Sequence, residues 1–137
     1  MAVAPINKVR EVVAYASTRI SPSKMLLGIP TYGYDWTLPF ERGNPGAPSI
    51  SPVQALNLAL RHRAEIQFDQ TAMAPWFRYT DENGRLHEVW FEDARSILAK
   101  FDLITEFGLR GIGYWNAMRQ FPQNWVLLNA LYQVEEV

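Results

Sequence analysis

The stretch that decides the fold is Lys24–Trp36, KMLLGIPTYGYDW. It opens with an apolar run from Met25 to Ile29 that is interrupted only by a glycine, and such a run is typical of a strand buried on both faces of a parallel sheet. The run stops at Pro30. A cluster of rings and one carboxylate comes directly after it: Tyr32, Tyr34, Asp35 and Trp36. Because ligands bind at the carboxyl ends of strands in parallel α/β proteins, the sequence predicts a binding site there.

The composition is that of one globular domain with a sizeable core. The chain has 137 residues, of which 48% are hydrophobic and 20% charged, and its net charge is −1. This charge balance, without a basic stripe, argues against a nucleic-acid partner, and no apolar run approaches the roughly 20 residues that a membrane helix needs. The chain has no cysteine, and its two histidines, His62 and His87, fall in different elements. We therefore expect no disulfide, no metal site and no cofactor.

Periodicity predicts alternating helices and strands on both sides of an insert. The predicted elements are a helix over 6–19, a strand over 24–30, a helix over 93–107, a strand over 109–115 and a helix from Pro122. Asn7 and Asp93 are the expected caps of the helices over 6–19 and 93–107. The apolar side of the first helix, which should face the core, consists of Ile6, Val9, Val12, Val13 and Ala16. The order αβαβα is typical of an α/β fold with parallel strands. Two such strands make a poor sheet, so its open edges should need a partner.

The insert resembles a small α+β unit. A loop over 37–50 with three prolines leads into a helix that runs to about His62, with Val53, Leu56 and Leu60 on one face. Its start carries three agreeing signals: Ser51 as cap, Pro52 at the first position and Gln54 to complete a capping box. Short strands are predicted over 65–68, 76–80 and 85–91, the last two joined by the hairpin signal Asn83-Gly84. These strands either widen the first sheet or form one of their own.

Two segments around this insert resemble a known family. LLGIPTYGYDW before the insert and HEVWFEDARSILAKFDLITEFGLRGIGYWN at its end are similar to the C-terminal part of family 18 glycoside hydrolases, which include the chitinases. The resemblance is greatest to N-acetylglucosaminidases that act on spore cortex and peptidoglycan. It covers nearly the whole chain, from VAPINKVREVV to FPQNWVLL.

The resemblance implies an α/β fold that is part of a (β/α)8 barrel. Strand 24–30 would be the seventh barrel strand and strand 109–115 the eighth. Residues 1–36 and 92–137 would then form the C-terminal part of the barrel. Residues 37–91 would be the family's α+β insertion domain, which forms one wall of the sugar cleft.

The resemblance also shows what this sequence lacks. The family's catalytic signature, D-x-x-D-x-D-x-E on the fourth strand, occurs nowhere in it, and the Tyr-Asp pair that ends the sixth strand has no counterpart. Because a barrel of this type needs about 200 residues or more, we expect a C-terminal fragment that is inactive alone.

No carboxylate of this chain is expected to replace the missing catalytic acid. In the family a glutamic acid protonates the glycosidic oxygen while the substrate's N-acetyl carbonyl attacks the anomeric carbon. Glu92 and Asp93 begin a helix, where capping and the helix dipole should lower their pKa values. Glu88 is expected on a solvated strand face.

Six residues are candidates for substrate binding. By resemblance, Trp115 is the family's eighth-strand tryptophan, whose flat ring packs against the central sugar, with core packing as the alternative. Tyr32 would hydrogen-bond a sugar hydroxyl or acetyl group, or belong to the core. Tyr34 stands where many chitinases have arginine, so the resemblance does not extend to that charged sugar contact. The other candidates are two cleft-wall residues and one that would bind ligand or cap a turn: Asp35, Trp36 and Asn116.

These expectations define a function and its alternatives. The first is a part of a family 18-like hydrolase of N-acetylglucosamine-containing glycans, peptidoglycan or chitin, that supplies cleft residues without the catalytic acid. Its parent would act in a spore envelope, in a cell wall or outside the cell. The alternatives are a non-catalytic glycan-binding or assembly module, and a homodimer formed through the open barrel edges.

Overall fold

The structure is a computed structural model that describes residues 1–41, 46–119 and 121–132. Its elements in chain order are α1 (Ile6–Ser17), a 3-10 turn (Pro22–Lys24), β1 (Leu26–Pro30), β2 (Gly33–Leu38), β3 (Ser49–Ile50), α2 (Pro52–His62), β4 (Gln67–Asp69), β5 (Ala74–Thr80), β6 (Leu86–Trp90), α3 (Ala94–Phe107), β7 (Gly111–Trp115) and α4 (Pro122–Leu131). The strands form two sheets, a parallel pair β1–β7 and an antiparallel sheet in the order β3-β2-β6-β5-β4. The predicted mixed α/β fold is confirmed, and the strands of the insert form a sheet of their own. None of the described helices is long and apolar enough to cross a bilayer.

The parallel pair is covered on one face only. Leu27 and Ile29 of β1 are buried against Ile97 and Phe101 of α3, in a core that α1 and α4 extend. The opposite face is bare among the described residues: the side chain of Leu26 is 62% exposed. The prediction of a strand buried on both faces is therefore wrong for this structure, because helices pack against only one side of it.

The antiparallel sheet has its own core beneath α2. Phe77 of β5 and Val89 of β6 are fully buried against Ala55 and Ala59 of the helix. The small alanine side chains let the helix lie close to the sheet. Of the predicted buried face of α2, Leu56 packs against this core, whereas the prediction is wrong for Val53 and Leu60, which are 42% and 76% exposed.

Most helix ends are explained by local chemistry. Ser51 and Gln54 form the predicted capping box of α2, and Asp93 caps α3 through the backbone N–H of Ser96. α3 ends at Gly108, whose φ of 63° is the left-handed conformation that glycine adopts without strain.

The first helix departs from the prediction at its start and on its buried side. α1 follows Pro5, which makes no side-chain cap, and Asn7 lies inside the helix instead of capping it. Of the predicted apolar side, Val13 is buried and Ile6 and Val9 pack against the core, whereas the prediction is wrong for Val12, which is 67% exposed. The backbone N–H of Ile6 donates to the carbonyl of Ala72, so the helix start is held by a tertiary hydrogen bond.

The strand β2 differs from the sequence expectation. The sequence predicts a loop over residues 37–50, yet Gly33–Leu38 pairs with β6 from Tyr34 opposite Trp90 to Leu38 opposite Leu86. A Cβ atom at position 33 would lie 2.7 Å from the Cα of Phe91. Only glycine therefore fits at this point, where the chain runs from the parallel pair into the antiparallel sheet. The Asp81–Arg85 hairpin next to it is confirmed: Asp81 Oδ1 accepts from the backbone N–H groups of Asn83 and Arg85.

Candidate functional site

The two parallel strands deliver their ends to the same place. Pro30 of β1 lies opposite Trp115 of β7. Beyond this pair, the backbone N–H of Thr31 donates to the carbonyl of Trp115 at 3.0 Å, and its buried hydroxyl donates to the carbonyl of Asn116 at 2.7 Å. The segments that leave the two strands are thereby fixed to each other, which brings Tyr32 next to Trp115.

A small polar cavity lies at this edge. Its volume is about 160 Å³, and the described residues that line it are Tyr32, Tyr34, Ser49, Trp115, Asn116 and Arg119. The side chain of Trp115 is 71% exposed, so its ring is open to a ligand and not packed in the core. Four of the six predicted binding residues are thus brought together.

A line of rings continues from this cavity along β2. Tyr32 contacts Tyr34 edge-to-face at 5.6 Å between ring centroids, Tyr34 contacts Trp36 at 5.7 Å, and Trp36 contacts Phe40 at 5.9 Å. Burial and the neighbouring Tyr34 raise the pKa of Tyr32, so its hydroxyl keeps its proton at neutral pH. This arrangement offers flat apolar faces together with phenolic hydrogen-bond donors.

Asp35 does not join this cavity. Side chains alternate along a strand, so its carboxylate points to the opposite face of β2 from Tyr34 and Trp36. There Oδ2 accepts from the hydroxyl of Tyr79 at 2.6 Å, and Oδ1 lies 2.9 Å from Nδ1 of His87. Only 8% of Asp35 is exposed. Its carboxylate is held by Tyr79 and His87 and links strands of the antiparallel sheet.

The Glu92 carboxylate is a structural group. Its Oε2 accepts from Lys100 Nζ at 2.8 Å and from the Ser96 hydroxyl at 2.6 Å, and the side chains of Glu92 and Lys100 are both 1% exposed. Burial raises the pKa of Glu92, whereas Lys100 and Ser96 oppose this. The predicted lowering is therefore wrong for Glu92. The effect of burial on the pKa of Glu92 therefore outweighs the lowering expected from capping and the helix dipole.

Glu88 is not on a solvated face, contrary to the prediction. Its side chain is 17% exposed and accepts from the indole N–H of Trp90 at 2.7 Å and from Arg78 Nε at 2.9 Å. Burial acts to raise the pKa of Glu88, but these two hydrogen bonds lower it overall. The carboxylate is thus held ionised between Arg78 and Trp90.

Sequence reasoning missed Arg119. The centre of its guanidinium group lies 5.9 Å from the ring centroid of Tyr32. Its Nη1 is shielded from solvent without a hydrogen-bond partner among the described residues, and so is Oδ1 of Asn116. The signal in the sequence was the position of Arg119, a cationic residue that follows shortly after Trp115 at the end of β7. Across the described ranges, no group of three histidine, aspartate or glutamate side chains could hold a metal ion.

The comparisons with known proteins agree on one family. Residues 3–119 match the model of glycosyl hydrolases family 18. The chain is 55% identical over 133 residues to the cortical fragment-lytic enzyme of Bacillus subtilis (strain 168), covering 97% of this chain and 31% of that protein. It is 36% identical over 121 residues to the di-N-acetylchitobiase of Rattus norvegicus, covering 75% of this chain and 33% of that protein.

A solved structure gives the same result. The spore cortex-lytic enzyme SleL of Bacillus megaterium QM B1551 superimposes with a TM-score of 0.95 at 53% identity, covering 98% of this chain and 32% of that one. The chain thus spans about a third of the length of the relatives it matches. From the family match over most of its length, the chain belongs to the glycosyl hydrolases of family 18.

Proposed function

We propose that this chain forms one side of the sugar-binding cleft in a family 18 hydrolase of N-acetylglucosamine-containing glycans. The observation that carries the proposal is the exposed ring of Trp115 beside Tyr32, at the carboxyl ends of two parallel strands. An open indole face can pack against the C–H face of a pyranose, and a neighbouring phenol can hydrogen-bond its hydroxyl or acetyl group. Relatives named as acting on cortical fragments and on di-N-acetylchitobiose support this class of substrate.

The parallel pair is proposed to be strands seven and eight of a (β/α)8 barrel. Helices cover one of its faces, as they cover the outside of such barrels. The bare face carries small residues, with Gly28 opposite Gly113, and would line the barrel interior. On this proposal residues 1–36 and 92–137 belong to the barrel. Residues 37–91 belong to the insertion domain, although its sheet takes its first strand from Gly33 onward.

This chain is proposed to hold the sugar and not to supply the catalytic acid. Such an acid must be a carboxyl group within reach of the glycosidic oxygen. Four acidic side chains near the candidate site or its sheet have structural partners instead: Asp35, Glu88, Glu92 and Asp93. Together with the missing D-x-x-D-x-D-x-E signature, this supports a chain that is inactive alone.

Hydrolysis of N-acetylglucosamine oligomers by the purified chain tests the absence of an acid. We expect no release of product above a blank. Turnover by the chain that is abolished in Asp35→Asn or Glu92→Gln, while the variant keeps its fold by circular dichroism, would overturn this part of the proposal.

Titration with N-acetylglucosamine oligomers, followed by tryptophan fluorescence, tests the binding role. We expect saturable binding that is lost in Trp115→Ala, because the exposed ring provides the stacking surface. Trp125→Ala is the matched control, since that tryptophan lies on α4 against Tyr114, away from the cavity, and should leave affinity unchanged. Equal affinity in the chain and in Trp115→Ala would contradict the assignment.

A second candidate is a homodimer formed through the open barrel edges. The bare face of the parallel pair favours it, because Leu26 and Trp115 leave apolar surface uncovered there. Light scattering across micromolar concentrations separates the two: a constant monomer mass contradicts the dimer, and a concentration-dependent doubling supports it.

A further inference from the structure

We propose that Asn83 is a site of spontaneous deamidation, at a rate set by the hairpin that holds it. The inference concerns the antiparallel sheet and is independent of the proposed sugar site. It starts from the sequence: of the asparagines in the chain, only Asn83 is followed by glycine. Glycine has no Cβ atom, so nothing on Gly84 itself hinders an approach to its backbone nitrogen.

The reaction needs only these two residues and water. The backbone nitrogen of Gly84 loses its proton and bonds to Cγ of Asn83, and the side-chain nitrogen of Asn83 takes up a proton and leaves as ammonia. Water then opens the succinimide ring that results. Opening at one carbonyl gives aspartate, and opening at the other gives isoaspartate, in which the backbone runs through Cγ. One water is consumed and one ammonia is released, with no oxidant or reductant.

The structure leaves room for this reaction at the tip of the hairpin between β5 and β6. Asn83 and Gly84 are both exposed to solvent. The hydrogen bonds of the turn use the backbone of Asn83 and not its side chain. A Cβ atom built on Gly84 would meet no other atom within 4 Å. Neither the attacked carbon nor the attacking nitrogen is therefore covered by another part of the described chain.

The same hairpin slows the reaction through its own hydrogen bonds. The attacking nitrogen, that of Gly84, donates its N–H to the carbonyl of Asp81 at 3.0 Å. The neighbouring N–H of Asn83 donates to Oδ1 of Asp81 at 2.9 Å. The nitrogen of Gly84 must leave its acceptor before it can approach Cγ of Asn83. The reaction therefore proceeds from the opened turn, and its rate follows the population of that open form.

The product loosens the hairpin, because Asp81 joins the two sides of the modified bond. Its Oδ1 accepts from the backbone N–H groups of Asn83 and Arg85, at 2.9 and 2.8 Å. Isoaspartate inserts one more carbon into the backbone between these two groups, so a single oxygen no longer reaches both. The backbone N–H of Arg85 is also the main reason why the pKa of Asp81 lies well below its usual range. Asp81 is therefore ionised, and the new carboxylate repels it.

This loss extends from the turn into the sheet. Oδ2 of Asp81 lies 3.5 Å from Nε2 of His87, and Nδ1 of the same ring lies 2.9 Å from Oδ1 of Asp35. The turn thus continues into a buried group of side chains that joins β6 to β2. Deamidation at Asn83 should therefore lower the resistance of the chain to urea.

The test follows the tryptic peptide Tyr79–Arg85, in which Asn83 is the one asparagine. The full chain and a synthetic peptide of the same sequence are incubated in the same mildly alkaline buffer and analysed by chromatography and mass spectrometry. We expect the peptide from the chain to gain one mass unit and to separate into an aspartate and an isoaspartate product. This should occur about tenfold more slowly than in the free peptide, because a hydrogen bond to the attacking nitrogen must break first.

Three variants separate the site from its control by the hairpin. Asp81→Ala removes the side-chain acceptor of the turn and should bring the rate close to that of the free peptide. Glu82→Ala is the matched control, since Glu82 lies in the same turn and accepts none of these bonds. Asn83→Gln should stay unmodified, because its longer side chain cannot form the succinimide ring. After incubation the unmodified chain should unfold at a lower urea concentration than before, whereas Asn83→Gln should not change.

Each outcome bears on a separate statement. An unmodified Asn83 in the chain after the free peptide has reacted completely would overturn the site. Equal rates in the chain and the free peptide, or in the chain and Asp81→Ala, would overturn its control by the hairpin. An unchanged urea midpoint in the deamidated chain would overturn the loosening of the sheet.

Discussion

The antiparallel sheet and the parallel pair β1–β7 differ in how they obtain their cores. The antiparallel sheet packs Phe77 and Val89 against its own helix α2, and its hairpin and capping box arise from neighbouring residues. The parallel pair depends on three helices spread from residue 6 to residue 131, and its second face is bare among the described residues. The candidate site lies at the carboxyl ends of the parallel pair, next to the antiparallel sheet.

This difference indicates a division of roles. The antiparallel sheet is stabilised by its own contacts, since local contacts hold its turns and buried polar groups join three of its strands. The parallel pair supplies Trp115 and Tyr32 but leaves one face uncovered by the described residues. Four substitutions test this contrast, and they are described from the largest expected effect to the smallest.

Phe77→Ala should have the largest effect. The ring is fully buried between the sheet and α2, and removing it leaves a cavity, so we expect the free energy of unfolding to fall by about 4 kcal/mol. Urea denaturation followed by circular dichroism measures the loss. A loss below about 1 kcal/mol would mean that the packing of the antiparallel sheet against α2 is not a main source of stability.

Lys100→Met should cost about 3 kcal/mol, because it leaves Glu92 buried without its cation. This pair joins the two regions: Glu92 follows the last strand of the antiparallel sheet, and Lys100 lies in the helix that covers the parallel pair. The double variant Glu92→Gln/Lys100→Met removes both charges and should recover much of the stability in the same urea measurement. If the double variant is as unstable as the single one, the packing of the Lys100 chain matters more than its charge.

Glu88→Gln should change the pH dependence of the antiparallel sheet. Despite burial, hydrogen bonds from Trp90 and Arg78 lower the pKa of Glu88 in the folded chain. Its contribution is therefore present above the pKa of the unfolded state and is lost as pH falls through the lower, folded pKa. Thermal unfolding between pH 7 and pH 3 should show the unmodified chain losing roughly 0.5–1 kcal/mol more than the variant. Parallel curves for the two proteins would contradict the pairing.

Leu26→Ser should have the smallest effect, within about 0.5 kcal/mol, because this side chain is 62% exposed on the bare face. Leu27→Ser, one residue along the strand, is the buried counterpart and should be strongly destabilising. Should Leu26→Ser cost more than about 1 kcal/mol in the urea measurement, the bare face is covered in solution, and the dimer is favoured.

The parts of the fold that were predictable are those that depend on adjacent residues. The capping box at Ser51, the cap at Asp93 and the turn at Asp81 each require only a few neighbouring side chains. The strand β2 and the buried face of α2 were not predictable in this way. They are set by the partner strand β6 and by the close approach of Ala55 and Ala59 to the sheet, which the local sequence does not encode.

The candidate site was predictable to the extent that it depends on strand ends. The end of the first parallel strand predicts Tyr32 at this edge, and the resemblance to the family adds Trp115; the structure brings the two together. Asp35 was included by proximity in sequence, although alternation along β2 directs it to the other face. Arg119 was missed because its place in the cavity depends on how the turn after β7 folds back over Tyr32.

At Gly33 the chain enters the antiparallel sheet close to the point where it leaves the sheet, after Trp90. The strand that enters this sheet and the strand that leaves it are hydrogen-bonded neighbours, with Tyr34 opposite Trp90. A unit whose two termini meet can be cut out and replaced by a short turn, or exchanged for the equivalent unit of a relative, without moving the strands outside it. The antiparallel sheet with its helix is thus a unit that can be exchanged as a whole. Its far edge could be lengthened, shortened or redesigned while Trp115 and Tyr32 keep their places.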